Sequence, residues 1–259
     1  MAGGYCIDFS RFSAYPDGFY AINNQFQAAG PKGFIEVKVL QNDKLYIRVD
    51  LPGVPDDAVR HRVDAVRQKV VFFYGETLDD GNKDVVREYS GIAGLCCDCC
   101  EITGVEAKMK DGVLRMIVSR VKVKDHDKKC TRTFPAFTGR SGDNVEDHPF
   151  LVKGRKGVLF AEPTAGGGVY FTVDMPGVCK SDDIEVFALE EEIRFFAELK
   201  KVCEHDESGR VYMGSVISRT PSSLPSLLSY SITYDVNFGV LKVRVTPPPK
   251  RTNKKTSKK

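Results

Sequence analysis

The sequence predicts an all-β chain built as two tandem β-sandwiches. Three observations carry this: the chain repeats itself, its apolar residues alternate at period two, and no segment sustains a long 3.6-residue period. Residues 32–54 lie over residues 156–178 without a gap, at an offset of 124, and eight of the 23 paired positions are identical. The shared heart is Leu45-Tyr46-Ile47-Arg48-Val49-Asp50-Leu51-Pro52-Gly53-Val54 against Val169-Tyr170-Phe171-Thr172-Val173-Asp174-Met175-Pro176-Gly177-Val178. Later blocks recur in the same order. Asp56-Asp57 answers Asp182-Asp183, the run from Val71 to Glu76 answers Ile193 to Glu198, and Tyr89-Ser90-Gly91 answers Tyr212-Met213-Gly214. The run from Gly112 to Met116 answers Gly239 to Val243. Offsets drift slightly between blocks, as they do when loops vary and strands do not. So long a period makes each copy a domain and not a solenoid unit.

Each element follows from its residues. Leu45, Ile47, Val49 and Leu51 share one face of a strand, with Tyr46, Arg48 and Asp50 on the other. Val169, Phe171, Val173 and Met175 repeat this pattern. Pro-Gly then supplies the fixed and the permissive φ of a tight turn. Ile184, Val186 and Ala188 alternate, so the Glu-rich stretch from Asp182 to Lys201 reads as strand despite its helix formers. Leu114, Met116 and Val118, and Leu241, Val243 and Val245, form closing strands entered through glycine. The expected boundaries are an aromatic-rich arm over 1–31, a first domain over 32–124, a polar linker over 125–153, a second domain over 154–247 and a basic disordered tail over 248–259.

Composition excludes several classes. At 42% apolar and 28% charged residues the chain is of ordinary globular make-up. It has no apolar run near the length of a membrane span, and its N-terminus lacks the basic-then-apolar pattern of a secretory signal. A reducing, cytoplasmic setting is therefore expected, with the eight cysteines as thiols. The formal charge of +3 comes from Lys250, Arg251, Lys254, Lys255, Lys258 and Lys259, without which the remainder is weakly acidic. A nucleic-acid module holds its positive charge on the folded surface, so nucleic acid is disfavoured as a partner. The tail reads first as a solvated end and second as a nuclear signal.

A strand ending in Val-Asp-Leu-Pro-Gly-Val, an acidic pair, alternating strands, a Gly-Glu, a Tyr-x-Gly and a late Gly-Val-Leu together resemble the α-crystallin domain of small heat-shock proteins, the plant branch above all. The resemblance covers roughly residues 32–123 and 156–247, and its specificity lies in the ordered set found twice. It implies immunoglobulin-like sandwiches, ATP-independent holding of unfolding clients in stress response, and self-association. It also implies an apolar client or partner groove. The strand with Val59, His61 and Val63 would border it together with the one holding Val105, Ala107 and Met109. Ile184, Val186 and Ala188 would begin its counterpart in the second copy. An exposed strand edge accepts extended segments by β-addition. The arm, with Phe9, Phe12, Tyr15, Phe19, Tyr20 and Phe26, is expected either to offer aromatic surface to clients and other subunits or to pack on the first domain.

Departures from the family are visible too. The Arg-Phe and Leu-Pro that usually follow the glycine equivalent to Gly91 are replaced by the run from Ile92 to Cys100. Between Glu76 and Arg87 only ten residues remain for a strand-exchange loop, so intramolecular pairing of the two copies is the expected substitute for dimer formation. The Ile-x-Ile tail anchor is missing. These losses leave a second reading, an adaptor or co-chaperone module binding one folded partner.

No enzyme chemistry is expected, and no cofactor or metal. Cys96-Cys97-Asp98-Cys99-Cys100 is a dense thiol cluster, but read as a strand it points its thiols to opposite faces and cannot close a tetrahedron. Cysteine as a small core hydrophobe is the favoured reading, with a thiol or zinc sensor behind it. His61, His126, His148 and His205 form no metal or triad spacing, and Gly166-Gly167-Gly168 opens a strand, not a phosphate loop.

Overall fold

The computed structural model of the chain describes residues 17–18, 24–31, 33–78, 86–95, 97–125, 133–134, 150–155, 157–164, 166–206, 208–217 and 226–249. These form eighteen strands and one 3-10 turn at Leu227–Ser229. The strands are β1 (Asp17–Gly18), β2 (Gln27–Ala29), β3 (Ile35–Val39), β4 (Leu45–Asp50), β5 (Arg60–Val63), β6 (Val70–Glu76), β7 (Glu88–Leu95), β8 (Cys100–Lys110) and β9 (Val113–Lys122). They continue as β10 (Thr133–Phe134), β11 (Phe150–Lys153), β12 (Leu159–Pro163), β13 (Val169–Asp174), β14 (Asp183–Ala188), β15 (Glu192–Glu198), β16 (Val211–Ile217), β17 (Ser231–Asn237) and β18 (Val240–Thr246). The chain is all-β, and its sheets stack as β-sandwiches.

Four antiparallel sheets result. In the first repeat, β3-β4-β9-β8 packs on β5-β6-β7; in the second, β12-β13-β18-β17 packs on β14-β15-β16. Leu45, Ile47 and Val49 of β4 join the core with Leu114, Met116 and Val118 of β9, and Phe171 and Val173 with Leu241, Val243 and Val245. Both closing hairpins turn on two residues of positive φ, Asp111-Gly112 and Phe238-Gly239, the geometry that right-twisted strands accept without splaying.

The remaining strands cross between repeats. β11, which precedes the second repeat, pairs antiparallel with β7 of the first, Val152 opposite Tyr89 and Lys153 opposite Glu88. β2, which precedes the first repeat, pairs with β16 of the second, Ala29 opposite Val211 and Gln27 opposite Tyr212. Residues 27–29 and 150–153 occupy matching places in the internal repeat, so the exchange is reciprocal. The segment expected as a plain linker thus supplies strands: β10 also pairs with β7, and β1 with β11. Of the arm's described residues, Phe26 packs on the second repeat, edge-on to Phe195 at 5.2 Å, while Asp17–Gly18 join the sheet of the first repeat through β11.

This exchange explains a burial pattern that alternation does not. All six residues of β4 are buried, as are five of the six in β13. Their inward faces fill the sandwiches, while Tyr46, Arg48, Asp50, Tyr170, Thr172 and Asp174 lie buried on the other face.

Candidate functional site

Each sandwich ends in edge strands paired on one side only. β5 and β8 are the outer strands of the two sheets of the first repeat and pack against each other, as β14 and β17 do in the second. Val63, Val105, Ile184, Val186 and Ala188 are half-buried against the core, and Met109 is buried. His61 and Ala107 are exposed. Val59 sits one residue ahead of β5 and packs over Gly75, where only 3.5 Å would separate its methyl from an added Cβ. The nine residues therefore lie on or beside three of these four edge strands.

The two grooves differ in how they are closed. By hairpin register, Ala107 of β8 corresponds to Tyr234 of β17, since Ala107 lies opposite Met116 and Tyr234 opposite Val243. The Tyr234 hydroxyl donates to the Ile184 carbonyl at 3.2 Å, a link from β17 to β14 across the second groove. Ala107 carries no hydroxyl to make it. Beside the first groove, over β5, β6 and β7, lies a surface cavity of about 360 Å³ whose lining includes Phe72, Tyr74, Ile92, Arg60 and Arg62. The Arg62 guanidinium stacks 4.8 Å from the Phe72 ring centre.

The two repeats are tied together near these sandwiches by matched contacts. Arg87 donates to both carboxylate oxygens of Asp174, at 2.7 and 3.0 Å, and to the Pro52 carbonyl at 3.0 Å. Arg210 mirrors it, reaching Asp50 at 2.9 Å and the Pro176 carbonyl at 3.3 Å. The Tyr89 hydroxyl donates to the Pro52 carbonyl and the Tyr212 hydroxyl to the Pro176 carbonyl. Gly53 N–H donates to the Phe238 carbonyl and Gly177 N–H to the Asp111 carbonyl, so each Pro-Gly turn meets the hairpin of the other repeat. Burial works against the charge on Arg210, but Asp50 and Tyr212 outweigh it and hold the guanidinium above its ordinary value; burial pushes the Tyr212 phenol up.

A third link lies outside the mirror pattern. Asp206 accepts from the Tyr46 hydroxyl and from Arg115 at 2.7 Å. Burial alone would raise the Asp206 carboxyl, but the hydrogen bonds from Arg115 and Tyr46 prevail and hold it below the usual carboxylate value. The Tyr46 phenol is pushed up by burial and then by Asp206.

The thiol cluster does not have the geometry expected of it. The chain bends at Asp98 and Cys99 instead of running extended, and Cys97, Cys99 and Cys100 are all buried with their sulfurs within 4.8 Å of one another. Their burial in the core is as the sequence suggests; the opposite-face argument is overturned. Cys96, His126, His148, the tail from residue 250 on, and Phe9, Phe12, Tyr15, Phe19 and Tyr20 of the arm lie outside the described residues. His205 packs against the Tyr46 ring at 5.6 Å. Asp182 shapes a turn, accepting from the backbone N–H groups of Cys179 and Lys200, which fits a turn role for the acidic pair.

Sequence reasoning missed Arg87 and Arg210. A signal was present: each stands two residues before the repeated tyrosine, as Arg87-Glu88-Tyr89 and Arg210-Val211-Tyr212. Each meets the aspartate of the other copy's Val-Asp-x-Pro-Gly-Val turn.

Paired antiparallel sheets with edge strands paired on one side only, and a reciprocal exchange of border strands, define a β-sandwich protein. A family model described as "Predicted plant small heat shock protein" matches residues 6–248, and the chain belongs to that family. It is similar to the "Putative 57 kDa heat shock protein" of Arabidopsis thaliana, 39% identical over 109 residues, which are 41% of this chain and 20% of that protein. It is similar also to the "Heat shock 22 kDa protein, mitochondrial" of Glycine max, 31% identical over 81 residues, 31% of this chain and 37% of that protein. The chain thus spans well under half the length of these relatives. No solved structure matches it significantly.

Proposed function

We propose that this chain is an ATP-independent holdase that takes extended segments of unfolding proteins at the β5/β8 edge of its first sandwich. In this reading residues 32–124 and 154–247 are the two sandwich domains. The arm over 1–31 and the linker over 125–153 each lend a border strand to the opposite domain. The observation that carries it is the pair of half-open edges bordered by Val63, Val105 and Met109, beside the aromatic-floored cavity at Phe72 and Tyr74. An incoming strand would extend a sheet by main-chain hydrogen bonds while its alternate side chains enter the half-buried wall. Nothing in that mechanism needs nucleotide, and no catalytic step is part of it. Self-association through other surfaces, and a cytoplasmic or nuclear setting, belong to the same proposal.

One observation favours a second reading, the adaptor for a single folded partner. Tyr234 ties the second groove across, which leaves one edge system where two would serve a general holdase better. A light-scattering assay with a heat-labile protein separates them. Suppression at equimolar ratio or below, lost on filling the first groove with Ala107→Tyr, supports the holdase; no suppression across that range eliminates it.

A further inference from the structure

The geometry points to a metal site of cysteine thiolates at the bend between β7 and β8, taking one soft d10 cation, Zn2+ or Cu+, on Cys97, Cys99 and Cys100. Consecutive side chains on an extended strand diverge to opposite faces. Here Cys99 and Cys100, adjacent in sequence, bring their sulfurs to 3.9 Å, and Cys97 completes a triangle with no edge above 4.8 Å. Thiolates on a shared zinc sit about 3.8 Å apart, given Zn–S bonds of ~2.3 Å. The cluster is already close to that spacing.

The cradle is held from several sides. Leu95 N–H donates to the Lys69 carbonyl and Ile102 N–H to the Gln68 carbonyl, both at 2.7 Å, clamping the bend at its two ends. The Cys99 carbonyl accepts from Val123 N–H at 2.8 Å and Lys124 N–H at 3.4 Å. Lys69 Nζ donates to the carbonyls of Asp98 and Cys100. The three thiols are no more than 2% exposed, so a bound cation would be shielded from water and competing ligands. Cys97 borders a cavity of about 580 Å³, a route of access whose charged lining is balanced, with Arg67, Lys69 and Lys124 against Asp64, Asp98 and Glu101. The stretch of the second repeat that follows β16, residues 218–225, contains no cysteine.

Binding would deprotonate each ligating thiol, one proton leaving to solvent for each sulfur–metal bond formed, with no change of oxidation state. Three sulfurs suit trigonal Cu+, whereas tetrahedral Zn2+ needs a fourth donor. The test uses the full-length reduced chain, titrated separately with Zn2+ and Cu+ against a chromophoric chelator and with Cd2+ to read thiolate-to-metal charge transfer. One equivalent of either ion retained below micromolar, with the charge-transfer band and a rise in melting temperature, is expected; the ion held more tightly identifies the occupant. Cys99→Ala and Cys100→Ala should each weaken binding at least a hundredfold, while Cys179→Ala and Cys203→Ala leave it unchanged. No retained ion and no band in the wild-type chain overturns the site, whether or not the variants fold. A band that survives both Cys99→Ala and Cys100→Ala overturns it as well. None of these readouts depends on chaperone activity.

Discussion

The guanidinium of Arg87 lies face to face with the carboxylate of Asp174, two hydrogen bonds joining groups 87 residues apart in the chain. Both are buried, at 3% and 0% side-chain exposure. Asp174 also keeps Arg155 at 3.3 Å. Because a charge left alone in such a place is costly, removing one partner should cost about 3 kcal/mol, the low end for a buried pair, since Arg155 remains. Arg87→Ala should therefore lower the denaturant midpoint sharply. Arg87→Met with Asp174→Leu should recover most of the loss, and equilibrium unfolding checks both.

Tyr234 and Ala107 make the two grooves unequal, and exchanging their character should reverse this. Tyr234→Phe removes a hydrogen bond of about 1 kcal/mol net. Amide exchange along β14 should then quicken several-fold, with β5 unaffected. Unchanged protection of β14 would show that the hydroxyl link does not hold that edge.

Acid should loosen the Tyr46–Asp206–Arg115 link. The Asp206 carboxyl titrates lower in the folded chain than in the unfolded one, so its stabilisation is whole above the ordinary carboxylate pKa of about 4. It fades as pH falls through the lower folded value. Asp206→Asn should flatten the acid limb of the stability curve below about pH 4, read by thermal melts across pH; an unchanged limb would assign acid sensitivity elsewhere.

Gly30 and Gly154 end the exchanged strands β2 and β11 at φ of +90° and +89°. An added Cβ would press on the Gly209 carbonyl in one case and the Val86 carbonyl in the other, each beside an arginine of the junction. Gly154→Ala should cost about 1–3 kcal/mol through left-handed strain, before the steric clash is counted. Its effect should fall first on β11 and β7 protection in hydrogen exchange.

Much of the fold was legible because its strands carry their own periodicity. Leu45, Ile47 and Val49 mark β4, Val169, Phe171 and Val173 mark β13, and the Pro-Gly turns fall where the residues require. The same reading could not see β2 or β11. At three and four residues these strands have no period to detect, and they owe their ladders to sheets more than fifty residues away. Nor could it see why Tyr46, Arg48 and Asp50 are buried, since a polar face reads as solvent-facing until a second charged surface is brought to it. The edge positions Val63, Val105 and Ile184 were nameable from the resemblance. The difference between Ala107 and Tyr234 was plain in the letters but meant nothing without the register that aligns them. The cysteine bend was hidden for a similar reason, because Lys69 and Gln68, about thirty residues upstream, decide that the chain turns there.

The reciprocal loan of β2 and β11 has a genetic consequence. In an assembly of two identical subunits, every codon change is written into both partners at once. Here each half can drift alone while its neighbour keeps the joint intact, as a tyrosine in one half where the other has an alanine already records. Cutting the gene in the middle would not return two working pieces, since each would leave with a ribbon that belongs to its sibling.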